Sequence, residues 1–127
     1  MNSLDTNVVL RYLLNDIPEQ TLKSKAVITG SASYVTDVVV TETIFVLERV
    51  VGMDRADIVR LIKKFLGLNS LIYNYYFLDQ VIELYGVKKM LSIVDCYASV
   101  EAKVYKNVLI TFDEELAKHG GKHVREP

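Results

Sequence analysis

The stretch Val108-Leu109-Ile110-Thr111-Phe112-Asp113 decides the fold class. Its first four residues are apolar or β-branched and Asn107 precedes them, so they predict a short strand that leads to an acid. A second strand of this kind is expected at the N-terminus, where residues 3–4 run directly into Asp5. The sequence therefore predicts two short strands, near opposite ends of the chain, that are each followed by a carboxylate.

Strand-like and helix-like segments alternate along the chain between these two stretches. The predicted strands are residues 3–4, 34–36, 71–73, 108–111 and 123–124. Apolar periodicity, Pro18 and the terminating glycines predict helices over residues 8–14, 18–30, 37–51, 54–66, 77–85, 95–106 and 114–118. Asp37 and Asp54 are expected to cap two of these helices. The alternation favours an α/β fold, a single three-layer domain over residues 1–127 whose helices flank a mainly parallel central sheet.

Composition agrees with one domain that folds around its own core. The chain has 127 residues, of which 50% are hydrophobic, and its formal net charge is −1. Its one cysteine, Cys96, excludes an internal disulfide. No apolar run approaches the roughly 20 residues that span a bilayer, and Asp5 and Arg11 interrupt any N-terminal signal. We therefore expect a cytoplasmic protein with no membrane contact.

Four acids are candidates for a metal site. Asp5 and Asp113 follow strands, Glu42 lies in the first turns of the helix after the second strand, and Asp95 opens its own helix. Because ligands of parallel α/β sheets bind beyond the carboxyl ends of the strands, the four carboxylates are expected near one edge. Two like charges about 4 Å apart repel by roughly 4 kcal/mol at an effective dielectric of 20, and a hard divalent cation removes that repulsion. All-oxygen ligation favours Mg²⁺ or Mn²⁺ over Zn²⁺.

Structural roles for the same acids remain open. An acid after a strand is often a helix cap, and for Asp95 or Asp113 taken alone this role is as good an explanation as metal binding. Glu42 taken alone could be a solvated helix residue. Asp37 is interpreted as a cap rather than a ligand. The metal hypothesis depends on the pattern of four acids and not on any one of them.

The same acids lie in segments that resemble the motifs of a known family. Asp5-Thr6-Asn7-Val8-Val9-Leu10-Arg11 resembles the first motif of the PIN-domain family, and residues 36–42, ending in Glu42, resemble the second. Asp95-Cys96-Tyr97-Ala98 and Thr111-Phe112-Asp113 resemble the third and fourth, although the further acid that often precedes Asp95 in the family is absent. The compact size of the chain and the apolar helix after Glu42 most resemble those of VapC-type toxin ribonucleases.

The resemblance implies a metal-dependent endoribonuclease that is the toxin of a toxin–antitoxin pair, with RNA as substrate and with an antitoxin protein and a second copy of the chain as partners. Asp5, Glu42 and Asp95 are expected to bind Mg²⁺ or Mn²⁺, with Asp113 at an outer position or at a second metal. Asn7 and Thr111 would orient these acids or merely cap turns.

Alternative functions are a PIN-fold RNA-processing nuclease outside such a pair and a non-catalytic PIN-like binding module. A phosphatase of the haloacid-dehalogenase kind is disfavoured, because those enzymes usually have a second aspartate where this chain has Asn7.

Other polar and aromatic residues give weaker signals. Arg11, Lys88 and Lys89 are candidate phosphate contacts but are more typical of solvated surface charges. The aromatic run at residues 73, 75, 76 and 77 could stack on bases, although such residues more often belong to a core or an interface. No catalytic role is expected for His119, His123 or Cys96. The apolar residues of the 37–51 helix predict an exposed patch that is buried in a homodimer.

Overall fold

A computed structural model describes all 127 residues of the chain, which form two compact units, residues 1–74 and residues 75–127. The prediction that residues 1–127 form a single domain stays a prediction. No helix of the chain combines the length and apolar character needed to cross a membrane.

The first unit contains a parallel sheet and four helices. Its elements are β1 (Asn2–Ser3), α1 (Thr6–Leu14), α2 (Pro18–Gly30), β2 (Ser33–Tyr34), α3 (Asp37–Arg49), α4 (Arg55–Leu66) and β3 (Leu71–Ile72). The strand order is β1-β2-β3, with Ser3 in register with Tyr34 and Tyr34 in register with Ile72. The three carboxyl ends therefore lie along one edge of this sheet.

Local sequence explains where the helices of this unit begin and end. Pro18 occupies the first turn of α2, where its missing N–H costs no hydrogen bond. Asn15 ends α1 in the left-handed conformation, with φ of 51°, which asparagine tolerates better than most residues. Asp54 precedes α4 as predicted, but its side chain makes no capping hydrogen bond.

The prediction that Asp37 caps its helix is wrong, because Thr36 is the capping residue. The Thr36 hydroxyl accepts a hydrogen bond from the N–H of Val39 at 3.2 Å, and its backbone is extended, with φ −75° and ψ 161°. Asp37 is instead the first residue of α3. Threonine and aspartate are both good capping residues, so the sequence pattern does not show which of these two adjacent residues caps the helix.

The second unit contains α5 (Tyr75–Val87), α6 (Ile93–Val104), β4 (Leu109–Ile110), α7 (Glu114–His119) and β5 (Val124–Arg125). Strands β4 and β5 pair in parallel, with Ile110 in register with Arg125. Helices α5 and α6 pack together, and the rings of Phe77 and Tyr97 make an edge-to-face contact with their centroids 4.8 Å apart. Buried residues of both helices form the core of this unit.

Parallel pairing and the alternation of strands with helices are confirmed, and the architecture is α/β with small parallel sheets. The expectation of one central sheet is met only in part, because three strands pair in one sheet and two in another. Each strand has two residues. Strand β1 is short because a helix follows it almost at once. Only one further hydrogen bond between the strands, from the Leu4 N–H to the Tyr34 carbonyl at 2.9 Å, forms before α1 begins at Thr6.

Candidate active site

Asp5 lies at the carboxyl end of β1 and immediately precedes α1. Its carbonyl oxygen accepts hydrogen bonds from the N–H groups of Val8 and Val9 at 3.1 and 3.2 Å, so its backbone is fixed by the first turn of the helix. Its carboxylate makes no capping hydrogen bond, has no ion-pair partner and is exposed. The Asp5 side chain is therefore well positioned and free to bind a ligand.

Glu42 lies in the second turn of α3. Its neighbours Thr43 and Ile44 are buried, and the Thr43 hydroxyl donates to the carbonyl of Val39 at 2.7 Å, which fixes this turn against the core of the unit. The Glu42 side chain is exposed and makes neither a hydrogen bond nor an ion pair. Like Asp5, it contributes a carboxylate with no structural partner.

Asp95 is engaged at the start of α6 in a reciprocal pair of hydrogen bonds. Ser92 is the capping residue, and its hydroxyl accepts from the Asp95 N–H at 3.0 Å. In return, Asp95 Oδ2 accepts from the Ser92 N–H at 3.1 Å. This arrangement is a capping box with aspartate in place of the usual glutamate or glutamine. The side chain of Asp95 is half-buried, and its Oδ1 stays available.

Asp113 caps α7. Its Oδ1 accepts from the N–H of Leu116 at 3.0 Å, and its own N–H donates to the hydroxyl of Thr111 at 3.0 Å. Thr111 thus holds the backbone of Asp113 rather than its carboxylate. Asp113 is exposed, and its Oδ2 has no partner.

The four predicted acids are divided evenly between the two units, and neither unit by itself brings three or more potential metal ligands together. None of the four lines either of two clefts in the protein. One cleft, of about 370 Å³, lies among α1, α2 and α4, and another, of about 1110 Å³, lies among α5, α6 and residues 118–123.

Asp37 and Asn74 are polar residues at the carboxyl edge of the first sheet that sequence reasoning did not assign to the site. Asn74 follows β3, and its amide donates a hydrogen bond to Asp37 Oδ2 at 3.4 Å. The sequence contains a signal for this role, because a threonine followed by an aspartate comes after the strand. Only one of the two can cap the helix, so the other is available for a different contact. Asp37 therefore belongs to the same sheet edge as Asp5.

Most of the weaker candidates have structural partners. Arg11 forms an ion pair with Asp16, with Nε 3.4 Å from Oδ1, and His123 Nε2 lies 2.6 Å from the carbonyl oxygen of Ser99. Among the aromatic candidates, Phe77 is buried, whereas Tyr75 and Tyr76 are exposed.

Comparison with known proteins places these residues in a family context. A family model described as the PIN domain matches residues 3–122 of the chain, a range that includes all four acids. No match was found among curated proteins or among solved structures.

Proposed function

The chain belongs to the PIN domain family, and from that membership we propose that it is a metal-dependent endoribonuclease that hydrolyses RNA phosphodiester bonds. PIN domains are generally nuclease modules that use divalent metal ions. The observation that carries the proposal is that Asp5 and Glu42, at the positions of two family motifs, have exposed carboxylates with no structural partner. Because no protein group engages their oxygens, both carboxylates can accept a cation.

The four acids have the ligand chemistry that a hard divalent cation prefers, although neither unit of the structure brings together a group of three or more metal-ligating side chains. Asp5 and Glu42 have both carboxylate oxygens free, while Asp95 and Asp113 each use one oxygen at a helix N-terminus and leave the other open. We propose that these four acids hold Mg²⁺ or Mn²⁺, because all-oxygen sets select such ions. The bound metal would supply an activated nucleophile at neutral pH and stabilise the charge that develops on the phosphate.

Each acid has a distinct role in this proposal. Asp5 and Glu42 would bind the cation directly, since no other group engages them. Asp95 also binds it, with its orientation set by the hydrogen bond from Ser92, much as a supporting group orients a ligand in other metal sites. Asp113 would attract the cation from an outer position or help to hold a second metal.

We extend the proposal to a toxin that acts within a toxin–antitoxin pair and forms a homodimer. The support is a set of exposed apolar side chains on and just after α3: Val38 and Val50 are 75% and 73% exposed and Phe45 is 48% exposed, whereas the other apolar face of the helix is buried. Surfaces of this kind often mark protein interfaces. An RNA-processing PIN nuclease outside such a pair would share the catalytic acids but need no antitoxin.

Metal removal tests the proposal. We expect the purified protein to cleave single-stranded RNA with Mg²⁺ or Mn²⁺, to stop in EDTA and to recover when metal is restored in excess. Cleavage that continues after complete chelation would contradict the metal mechanism. Metal-independent RNA binding without cleavage would instead identify a non-catalytic binding module.

A further inference from the structure

Phe112 is the most exposed large apolar side chain of the protein, at 88%. It lies in the bend between β4 and α7, between Thr111 and the candidate ligand Asp113. A phenylalanine gains nothing from complete exposure to water, since burial of such a side chain is worth about 1.5–3 kcal/mol. A ligand that covers this ring would therefore gain free energy from its burial.

The backbone around Phe112 is held on both sides. The N–H of Thr111 donates to the carbonyl of Arg125 at 3.1 Å, which extends the pairing of β4 with β5. The Asp113 N–H then bonds to the Thr111 hydroxyl, and the Asp113 carboxylate caps α7. The ring of Phe112 is thus presented to solvent by a fixed turn.

Arg125 supplies a positive charge beside the same turn. It is in register with Ile110, its side chain is exposed, and it makes no ion pair. Residues in register on neighbouring strands lie on the same face of a sheet, and so do residues two apart along one strand. Ile110 and Arg125 therefore belong to one face, and the hydrogen bond from the Thr111 N–H to the Arg125 carbonyl brings the backbone of Arg125 beside the turn that carries Phe112.

We propose that Phe112 stacks against an unpaired base of the RNA substrate while Arg125 contacts a neighbouring phosphate, an inference that rests on the proposed nuclease function. Phe112 directly precedes the candidate ligand Asp113 in the chain, so the stacked base would belong to a nucleotide near the candidate site. Aromatic rings stack on any base, and guanidinium groups pair with phosphate oxygens. The site selects single-stranded RNA, because a paired base does not expose its face.

A protein partner fits this surface less well. The ring is followed directly by Asp113, Glu114 and Glu115, and an interface centred on Phe112 would have to bury these carboxylates. Charged residues are depleted from the cores of protein interfaces. Stacking of one base covers the ring and leaves the acids in water.

Binding of a labelled single-stranded RNA oligonucleotide to the full chain, followed by fluorescence anisotropy, tests the proposal. To prevent cleavage, all variants carry Asp5→Asn. We expect Phe112→Ala to weaken binding roughly 5- to 150-fold, the range for loss of one stacked base, and Phe112→Tyr to bind within about twofold of the parent. The control is Tyr105→Ala, which removes an aromatic ring of the same unit that is 69% exposed but not adjacent to an acid, and should leave affinity unchanged.

Oligonucleotides with a single abasic position sharpen the test. One abasic position should weaken binding to the parent protein, and that penalty should disappear in Phe112→Ala because the stacking partner is already gone. Arg125→Ala should reduce the slope of log affinity against log salt by about one.

Equal RNA affinity of Phe112→Ala and the parent protein overturns the stacking proposal. If Phe112→Ala also loses the dimer while its RNA affinity is unchanged, the ring belongs to a protein interface. Cleavage assays with Asp5 restored separate the two claims. If the wild type cleaves RNA and Phe112→Ala has the same KM, only the stacking inference fails. If the wild type neither binds nor cleaves RNA, the proposed function fails with it.

Discussion

The candidate acids of residues 1–74 and those of residues 75–127 are held in different ways. Asp5 and Glu42 have carboxylates with no hydrogen-bond or ion-pair partner. Asp95 and Asp113 each accept a hydrogen bond from a backbone N–H at the start of a helix. Substitution of the first pair therefore tests ligand binding alone, whereas substitution of the second pair changes both ligand binding and helix stability.

The largest effect is expected for the two acids without partners. Asp5→Asn and Glu42→Gln should each lower the rate of RNA cleavage more than about 100-fold, beyond the loss typical of residues that only support a ligand. Their free energies of unfolding without metal should change by less than about 0.5 kcal/mol, because both side chains are exposed. Cleavage kinetics and urea unfolding measure the two quantities, and an active, well-folded Asp5→Asn would remove Asp5 from the site.

Two substitutions of Asp95 separate its two roles. Asp95→Asn keeps an oxygen that can accept the Ser92 N–H, so we expect loss of cleavage with little change in stability. Asp95→Ala should lose cleavage and also about 1 kcal/mol of stability, because the hydrogen bond to Ser92 is gone. Full activity in Asp95→Asn, measured at saturating metal, would assign Asp95 to helix capping only.

Asp113 should show a smaller loss of activity. In Asp113→Asn the cap of α7 is kept, since asparagine caps helices as well as aspartate does. We expect a partial loss of cleavage that higher Mg²⁺ repairs, because an outer carboxylate contributes mainly attraction for the cation. Metal titration of the cleavage rate measures this, and complete inactivity at saturating metal would instead make Asp113 a direct ligand.

The smallest effect concerns the start of α3. Thr36→Ala should destabilise the protein by about 1 kcal/mol through loss of the cap to Val39. Asp37→Asn should change stability less, because Asp37 is not the capping residue, and it should keep activity, because Asp37 is not one of the four acids assigned to the metal. Thermal unfolding of the two variants gives the comparison, and a larger loss in Asp37→Asn would show that its contact with Asn74 matters more than the cap.

Much of the fold follows from the sequence because strong local signals mark it. Pro18 and Gly30 bound α2 at the predicted residues, and the pattern around Leu109 predicted β4 and its trailing acid. The capping residue of α3 was missed, since Thr36 and Asp37 are equally good candidates by type. The exposed ring of Phe112 was also missed, because a phenylalanine beside a strand is normally assigned to a core and only the three-dimensional surroundings show its exposure.

The four acids were identified from their positions after strands and in family motifs, and they remain a proposal as a joint site. What the sequence did not indicate is that two of them double as helix caps. A carboxylate at a helix start has the same residue type whether it binds a backbone N–H, a metal or both.

Metal-dependent thermal unfolding tests the joint site most directly, because it needs no RNA. A cation that binds only the folded state raises stability by about 2.7 kcal/mol when its concentration is 100 times its Kd. We expect Mn²⁺ to raise the Tm of the wild-type protein but not that of Asp5→Asn or Glu42→Gln. Without metal, the Tm of Asp5→Asn should be no lower than that of the wild type, since one repulsive charge is gone. An equal Mn²⁺-induced rise in Tm in the wild type and in both variants would contradict a metal site built on these acids.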